Sequence, residues 1–353
     1  MRFFVVSALA SLASLASAVS VDLTRRDTPF EVRLEESGNS GVRGFVTNTG
    51  SVPIKVMTVG TILDERPVEK ASVYAGDSRV AFDGIRLNMC THYLTEEAFR
   101  VIGAGESIEV DFDAGELHDL SPGGTFDVQT KGVFSTAELD STVITGALPY
   151  ASNVLSTKVN GTEAFSVHHV FQERARRSEI NNDCTGTRRT ATATAIQNCA
   201  ALAKAAKAAA ATDKTRLTKY FKSASASVAT TVGNVFSRIE QECASTTSGD
   251  SRYHCTDVYG ACGNGVIAYT LPSRSLMVNC RTFFDRMPVA TRRCHGQDQQ
   301  TTVLHEMTHL SEVAGTEDYG GYGFAFVQSL SARQNLNHAD TYTLFAQSIF
   351  AKC

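Results

Sequence analysis

Beyond its N-terminus, no stretch of this 353-residue chain sustains the run of ~18 apolar residues that a membrane-spanning helix needs. That absence excludes a helical membrane protein. Cysteine is nearly missing from the first half, where Cys90 stands alone before Cys184. The cysteine spacings also lack a repeated C-x-x-C, which excludes a structural zinc built from thiolates. Charged residues make up only 20% against 42% hydrophobic, the proportions of ordinary globular material. Lysines 204, 207, 214, 219 and 222 fall at helical spacing and form a solvated helix face, so neither nucleic acid nor a membrane is an expected partner.

What is present begins with a leader. Arg2 precedes the apolar run Phe3–Leu15, and Ala16-Ser17-Ala18 supplies a small-x-small cleavage pattern. Residues 1–18 therefore read as a secretory signal peptide, and the mature protein as secreted and extracellular. In an oxidising compartment the eight cysteines at 184, 199, 243, 255, 262, 280, 294 and 353 form an even set, which implies four disulfides. Cys90 is the odd one. It reads either as a buried unpaired thiol or as a thiolate that holds a metal centre latent.

The length accommodates two domains of roughly 150 residues each, and composition changes near residue 178. Before it come short β-rich runs punctuated by turns: Gly44–Thr47 and Pro53–Val59 flank Asn48-Thr49-Gly50-Ser51, and Ser107–Phe112, Thr125–Gln129 and Val154–Val159 follow. This spacing predicts a β-sandwich-like domain over 19–177. At the junction, Arg174 and the dibasic Arg176-Arg177 form a site for a kexin-type processing protease, and Arg25-Arg26 forms a second pair. Residues 178–353 carry 17 basic and 14 acidic side chains, out of 33 and 37 in the whole chain, so an acidic leader precedes a mildly basic remainder. Opposite charge suits a pro-domain that acts on its own enzyme as inhibitor or chaperone.

The C-terminal region, 178–353, reads as mainly α with a small β-hairpin or sheet. Thr190–Ala211 has one of the best helix compositions available. Asp213 caps a second helix through Tyr220, and Ala224–Cys243 forms a third. Tyr253–Thr270 around Gly263-Asn264-Gly265 suggests a hairpin.

The chemistry lies further on, in Leu304-His305-Glu306-Met307-Thr308-His309. Asp298 can cap a helix from Gln299 to about Val313, with Gly315 at its exit. Val303, Met307 and Leu310 then cluster on one face while His305 and His309 project together from another. Two imidazoles four residues apart can hold one zinc ion, with Glu306 beside them as a base rather than a ligand. A third ligand must come from Glu312, Glu317, Asp318, His338 or Asp340. The side chain of Glu312 points away from the histidines. Asp318, between Gly315-Thr316 and Tyr319-Gly320-Gly321, sits in a loop able to reverse over the helix. The longer H-E-x-x-H-x-x-G-x-x-H pattern is absent, and so is a further downstream glutamate ligand.

His305-Glu306-x-x-His309, followed by Gly315-Thr316-x-Asp318 and Tyr322-Gly323, resembles the deuterolysin family of fungal zinc endopeptidases, the aspzincins. Tyr253-His254-Cys255, Ala268-Tyr269-Thr270-Leu271-Pro272, Cys294-His295-x-Gln297-Asp298-Gln299 and the terminal Cys353 extend the likeness across 178–353. The resemblance implies a zincin-type catalytic domain and one zinc ion held by His305, His309 and Asp318. It also implies Glu306 as the base and an oxyanion-supporting tyrosine at Tyr322. Here the sequence departs from the family, because three residues rather than two separate Asp318 from the Tyr-Gly pair, so Tyr319 also stays open. The likeness further implies pairing of Cys184 with Cys255, Cys262 with Cys280 and Cys294 with Cys353, which leaves Cys199 for Cys243. Protein substrates, basic ones favoured, and a monomeric enzyme follow from the same source. His254 and His295 read as structural, and His338 and Asp340 as a helix start or as supports behind the ligands, with Asp340 also as a substrate contact. Rival readings are a lysine-directed endopeptidase of the same zinc group and a non-catalytic secreted zinc protein. Glu306 argues against the second, since a pure ligand site needs no base.

Overall fold

The computed structural model describes residues 28–178, 183–246 and 248–353, without the side chains of 174–178. The expected signal peptide (1–18), Arg25-Arg26 and the side chains of Arg174, Arg176 and Arg177 lie outside the described residues.

The first half is built from β1 (Phe30–Glu36), β2 (Gly41–Asn48), β3 (Ile54–Met57), β4 (Ser72–Ala75), β5 (Ser78–Arg79), β6 (Arg86–Met89), β7 (Phe99–Ile102) and β8 (Ser107–Asp113). A single helical turn, α1 (Ala114–Leu117), precedes β9 (Gly124–Gln129), β10 (Lys131–Ala137), β11 (Ile144–Ala151) and β12 (Leu155–Val159), and helix α2 (Gly161–Ser178) closes the half. Three small antiparallel sheets result, in the orders β1-β2-β8, β11-β10-β3-β7 and β12-β9-β4-β5. In β1, Phe30, Val32 and Leu34 are buried while Glu31, Arg33 and Glu35 face water, the alternation of a half-covered sheet. Phe30, Val46, Val73, Phe126 and Phe134 meet from all three sheets in one apolar cluster.

The second half begins with helices α3 (Gly186–Thr212), α4 (Lys214–Phe221) and α5 (Ala226–Cys243). Ala195, Ala203, Ala206 and Ala210 line the buried face of α3. Such short side chains let neighbouring helices approach closely, and α3 packs against α5 and two later helices. Asp213 caps α4 as expected, accepting from the Arg216 amide at 2.8 Å.

Next come β13 (Arg252–His254), β14 (Val266–Leu271), β15 (Leu276–Asn279), α6 (Arg281–Asp285), α7 (Gln299–His309), α8 (Gly323–Ser329), α9 (Ala332–Asn335) and α10 (Ala339–Ala351). The hairpin expected around Gly263-Asn264-Gly265 is displaced. β13 runs parallel to β15, and the hairpin joins β14 to β15 through the helical turn Pro272–Arg274. The reason lies in what gathers the intervening residues into a loop. Asp257 accepts from the amides of Ala261 and Cys262, and two disulfides, Cys184–Cys255 and Cys262–Cys280, fasten the loop. Cys199–Cys243 and Cys294–Cys353 complete four pairs, all as expected, and Cys90 is free and buried.

One connection crosses the expected domain boundary. The second half's sheet has the order β13-β15-β14-β6, so its edge strand comes from the first half.

Candidate metal centre

Helix α7 is fixed at its start by reciprocal capping. Asp298 accepts from the Thr301 amide at 2.8 Å, and Thr301 Oγ1 accepts from the Asp298 amide at 3.0 Å. Every residue of α7 is buried, including the face that carries the histidines. The helix is enclosed by β14, β6, α3, α5 and α10, all of which contact it. The helix ends at His309, four residues before the expected Val313. Leu310 leaves helical conformation, and Thr316 folds back to bond Thr308 through both backbone and hydroxyl. Gly315 takes φ +60° in this reversal, a conformation that favours glycine. The returning chain lays Asp318 against the histidines.

Ligand-type atoms of three side chains converge there. His305 Nε2 and His309 Nε2 are 3.1 Å apart, Asp318 Oδ1 lies 3.3 Å from His305 Nε2, and Asp318 Oδ2 lies 3.4 Å from His309 Nε2. A tetrahedral ion with bonds of ~2.0–2.1 Å sets its ligand atoms roughly 3.3 Å apart, so each of these separations suits side chains that share one ion. Asp318 Oδ1 is buried without a hydrogen-bond partner, the state of an atom awaiting a ligand. Among the described residues, the other cluster with metal-binding side chains is Cys294, His295 and Cys353. Its thiols are consumed in a disulfide.

Each histidine is oriented from behind. His305 Nδ1 meets Asp340 Oδ1 at 3.0 Å, and His309 Nδ1 meets the Thr316 carbonyl at 2.9 Å. These bonds leave both Nε2 lone pairs for an ion. The electrostatics favour a cation at this point. Burial opposes ionisation of Asp318, yet the facing imidazoles hold its carboxyl down at about 2. Burial also disfavours charge on His305, but Asp318 and Asp340 raise it well above its ordinary value. His309, lacking a second carboxylate, is lowered to about 4 by burial.

Glu306 stands beside the triad rather than in it. Its Oε2 accepts from Thr270 Oγ1 at 2.6 Å. Its Oε1 makes no hydrogen bond of ordinary geometry, with Asn88 as polar neighbour. Burial pushes the carboxyl up to about 7, near the value that suits a general base.

The extra residue after Asp318 is absorbed in a tight turn. Gly321 N bonds the Asp318 carbonyl at 3.1 Å, and both central residues are left-handed, Tyr319 at φ +54° and Gly320 at φ +74°. This turn points the two tyrosines to different places. Tyr319 stacks on His338 and accepts from Asn337. Tyr322 stacks toward His305 at 6.5 Å between ring centroids, and its hydroxyl donates to the Leu87 carbonyl at 3.0 Å.

The remaining candidates lie elsewhere. Glu312 accepts from Ser275, and Glu317 is ion-paired with Arg79. His338 bonds Gly321 and Thr341. His254 lies 3.5 Å from Asp183, and His295 meets the Tyr220 hydroxyl at 2.6 Å. Cys90 is buried in the apolar cluster of the second half, where burial raises its thiol. The contacts of Asn88 and Thr270 with Glu306 carry no sequence signal, since they arise only when β6 and β14 come to lie over α7. Next to Asp318 and Tyr322 a cavity of about 810 Å³ opens, also lined by Glu69, Arg79, Arg86 and Glu317.

The model of the deuterolysin metalloprotease (M35) family matches residues 1–353. A neutral protease 2 homolog of Colletotrichum graminicola is 57% identical over 344 residues, covering 97% of each chain. Neutral protease 2 of Aspergillus oryzae is 39% identical over 351 residues, 98% of each. A solved zinc peptidase from Grifola frondosa aligns at a TM-score of 0.40 and 23% identity, over 47% of this chain and 97% of that one.

Proposed function

The chain belongs to the deuterolysin metalloprotease family and is a metalloendopeptidase; we propose that it is a secreted, zinc-dependent one, made as a latent precursor. The observation that carries the zinc reading is the meeting of His305 Nε2, His309 Nε2 and the two Asp318 carboxylate oxygens at 3.1–3.4 Å. When bound, a single zinc ion there supplies Lewis acidity to a water and to the scissile carbonyl.

The chain's own residues supply the rest. Glu306, buried and held through one oxygen by Thr270, has its other oxygen free to take the attacking water's proton and pass it to the leaving amine. Tyr322 donates its phenol to the developing oxyanion. Asp340 and the Thr316 carbonyl fix the rings of His305 and His309, so no reorientation is needed as charge moves. Packing of α10 and β14 against α7 shields the site from bulk water.

We read residues 1–18 as the signal peptide, 19–177 as a β-sandwich-like pro-domain and 178–353 as the catalytic domain, separated at Arg176-Arg177 by a kexin-type protease. Four disulfides suit an extracellular enzyme. A preference for basic protein substrates fits Glu317, which Arg79 of the first half neutralises beside the cavity and which processing would release. The test is cleavage of a denatured protein mixture by processed enzyme, with and without chelator, and sequencing of the products. Chelator-insensitive cleavage sinks the metal reading, and products cut without regard to charge sink the basic preference.

A further inference from the structure

Strand β6 is a short piece of the first half whose backbone pairs with the sheet of the second. It adds antiparallel to the edge of β14, with Arg86 opposite Thr270, Leu87 opposite Tyr269 and Asn88 opposite Ala268. The pairing continues through the Cys90 amide, which donates to the Gly265 carbonyl at 2.7 Å. Alternate carbonyls turn away from β14, and catalytic-half side chains take both. Tyr322 Oη donates to the Leu87 carbonyl at 3.0 Å, and Gln297 Nε2 donates to that of Met89 at 2.7 Å. Gln297 also accepts from the Thr91 amide at 3.2 Å. Leu87 and Met89 are buried with Val266, Leu271 and Tyr322 in a cluster drawn from both halves. On the opposite face of the strand, Asn88 faces Glu306, and the charge of Arg86 is felt by Asp318.

An extended peptide added to a sheet edge, with its outward carbonyls also bonded and alternate side chains buried, is how a sheet edge recognises a peptide. Here the peptide also engages the phenol and the carboxylate that the preceding section assigns to catalysis. We propose that residues 86–91 are a built-in substrate mimic: they fill the edge of β14 on which a protein substrate is drawn out, and they keep the precursor latent until they leave. The inference rests on the reading of Glu306 and Tyr322 as catalytic groups. It places latency in a strand rather than in the Cys90 thiol, which lies in the apolar core.

The test uses the full chain with Arg174, Arg176 and Arg177 changed to Gln, so that the junction stays intact, and compares it with the processed wild-type enzyme. Asn88→Pro removes a backbone donor from the pairing with β14, and Met89→Ala removes buried contact. Each should raise the intact precursor's chelator-sensitive cleavage of a denatured protein at least ten-fold. Folded variants that stay as silent as the parent precursor overturn the proposal. Amide exchange on the wild-type chain needs no variant. Peptides covering Val266–Leu271 should exchange at least ten-fold faster once the pro-region is removed, and equal protection in both forms also overturns it. The processed enzyme separates the two readings: if it fails to cleave, the catalytic assignment is at fault, whereas an active processed enzyme beside silent variants faults the strand alone.

Discussion

Asp340 grips two arms of the centre at once: its Oδ1 lies 3.0 Å from His305 Nδ1, and its Oδ2 accepts from the Gly323 amide at 2.7 Å. One carboxylate thus sets the ring plane of a ligand and the position of the residue after Tyr322. Asp340→Asn should weaken zinc binding by roughly 10- to 100-fold, the usual effect of losing a partner behind a ligating histidine. Metal retention measured against a graded chelator series checks this. Unchanged retention would show that His305 is oriented by other means.

Glu306 and Thr270 form a second pair, joined at 2.6 Å inside the protein. Glu306→Gln should leave metal content intact while turnover falls by roughly 10²- to 10⁴-fold, the range for loss of a general acid–base group. Thr270→Val should act more mildly, because it only removes a bond that favours the ionised carboxylate. Loss of metal from Glu306→Gln would instead mark Glu306 as a ligand.

The two tyrosines give a clean contrast. Tyr322→Phe removes the phenol beside His305 and should lower turnover on the order of 10²-fold or more, with little change in KM, as expected for a transition-state donor. Tyr319→Phe removes only a bond to Asn337 and should leave turnover within about two-fold. Reversed effects would reassign the oxyanion support.

Much of this was legible in the sequence, for identifiable reasons. Local chemistry gave the capped helices at Asp213 and Asp298 and the convergence of His305 and His309, because those depend on neighbours in the chain. The run Ser107–Phe112 reappears as β8 with one residue added, since alternation and turn residues mark strands directly. The end of α7 was misjudged because Thr308 and Thr316 bond across the exit turn, and such a bond has no signature in helix propensity. The crossing of β6 was invisible for a deeper reason. Arg86–Met89 reads as an ordinary short strand, and nothing local says which sheet it joins. The turn after Asp318, with Tyr319 and Gly320 both left-handed, sends the two tyrosines to different places, which the sequence alone does not show.

His118 predicts how the full chain responds to acid. Its ring is buried, with Nδ1 bonded to the Ala114 carbonyl at 3.0 Å and Nε2 without a partner. Phe82 packs on it, Glu69 lies on its favourable side, and Arg79 and Arg86 repel a positive charge there. Burial, the largest influence, brings it down to about 4 from an ordinary 6.5. Above pH 6.5 the ring is neutral whether the chain is folded or not, and its contribution to stability is complete. Below that, the unfolded chain takes up the proton first, so stability falls as pH drops from 6.5 through about 4. At about 1.4 kcal/mol for each pH unit, the window is worth roughly 3 kcal/mol. Denaturant unfolding of the full chain at pH 7 and pH 4 should therefore show a loss that His118→Gln reduces by about that amount. Apart from Glu69, which faces the ring, the other carboxylates and histidines titrate alike in both proteins, so the difference between the two profiles reports on His118 together with Glu69. Parallel profiles would mean that His118 accepts its proton within the fold without penalty.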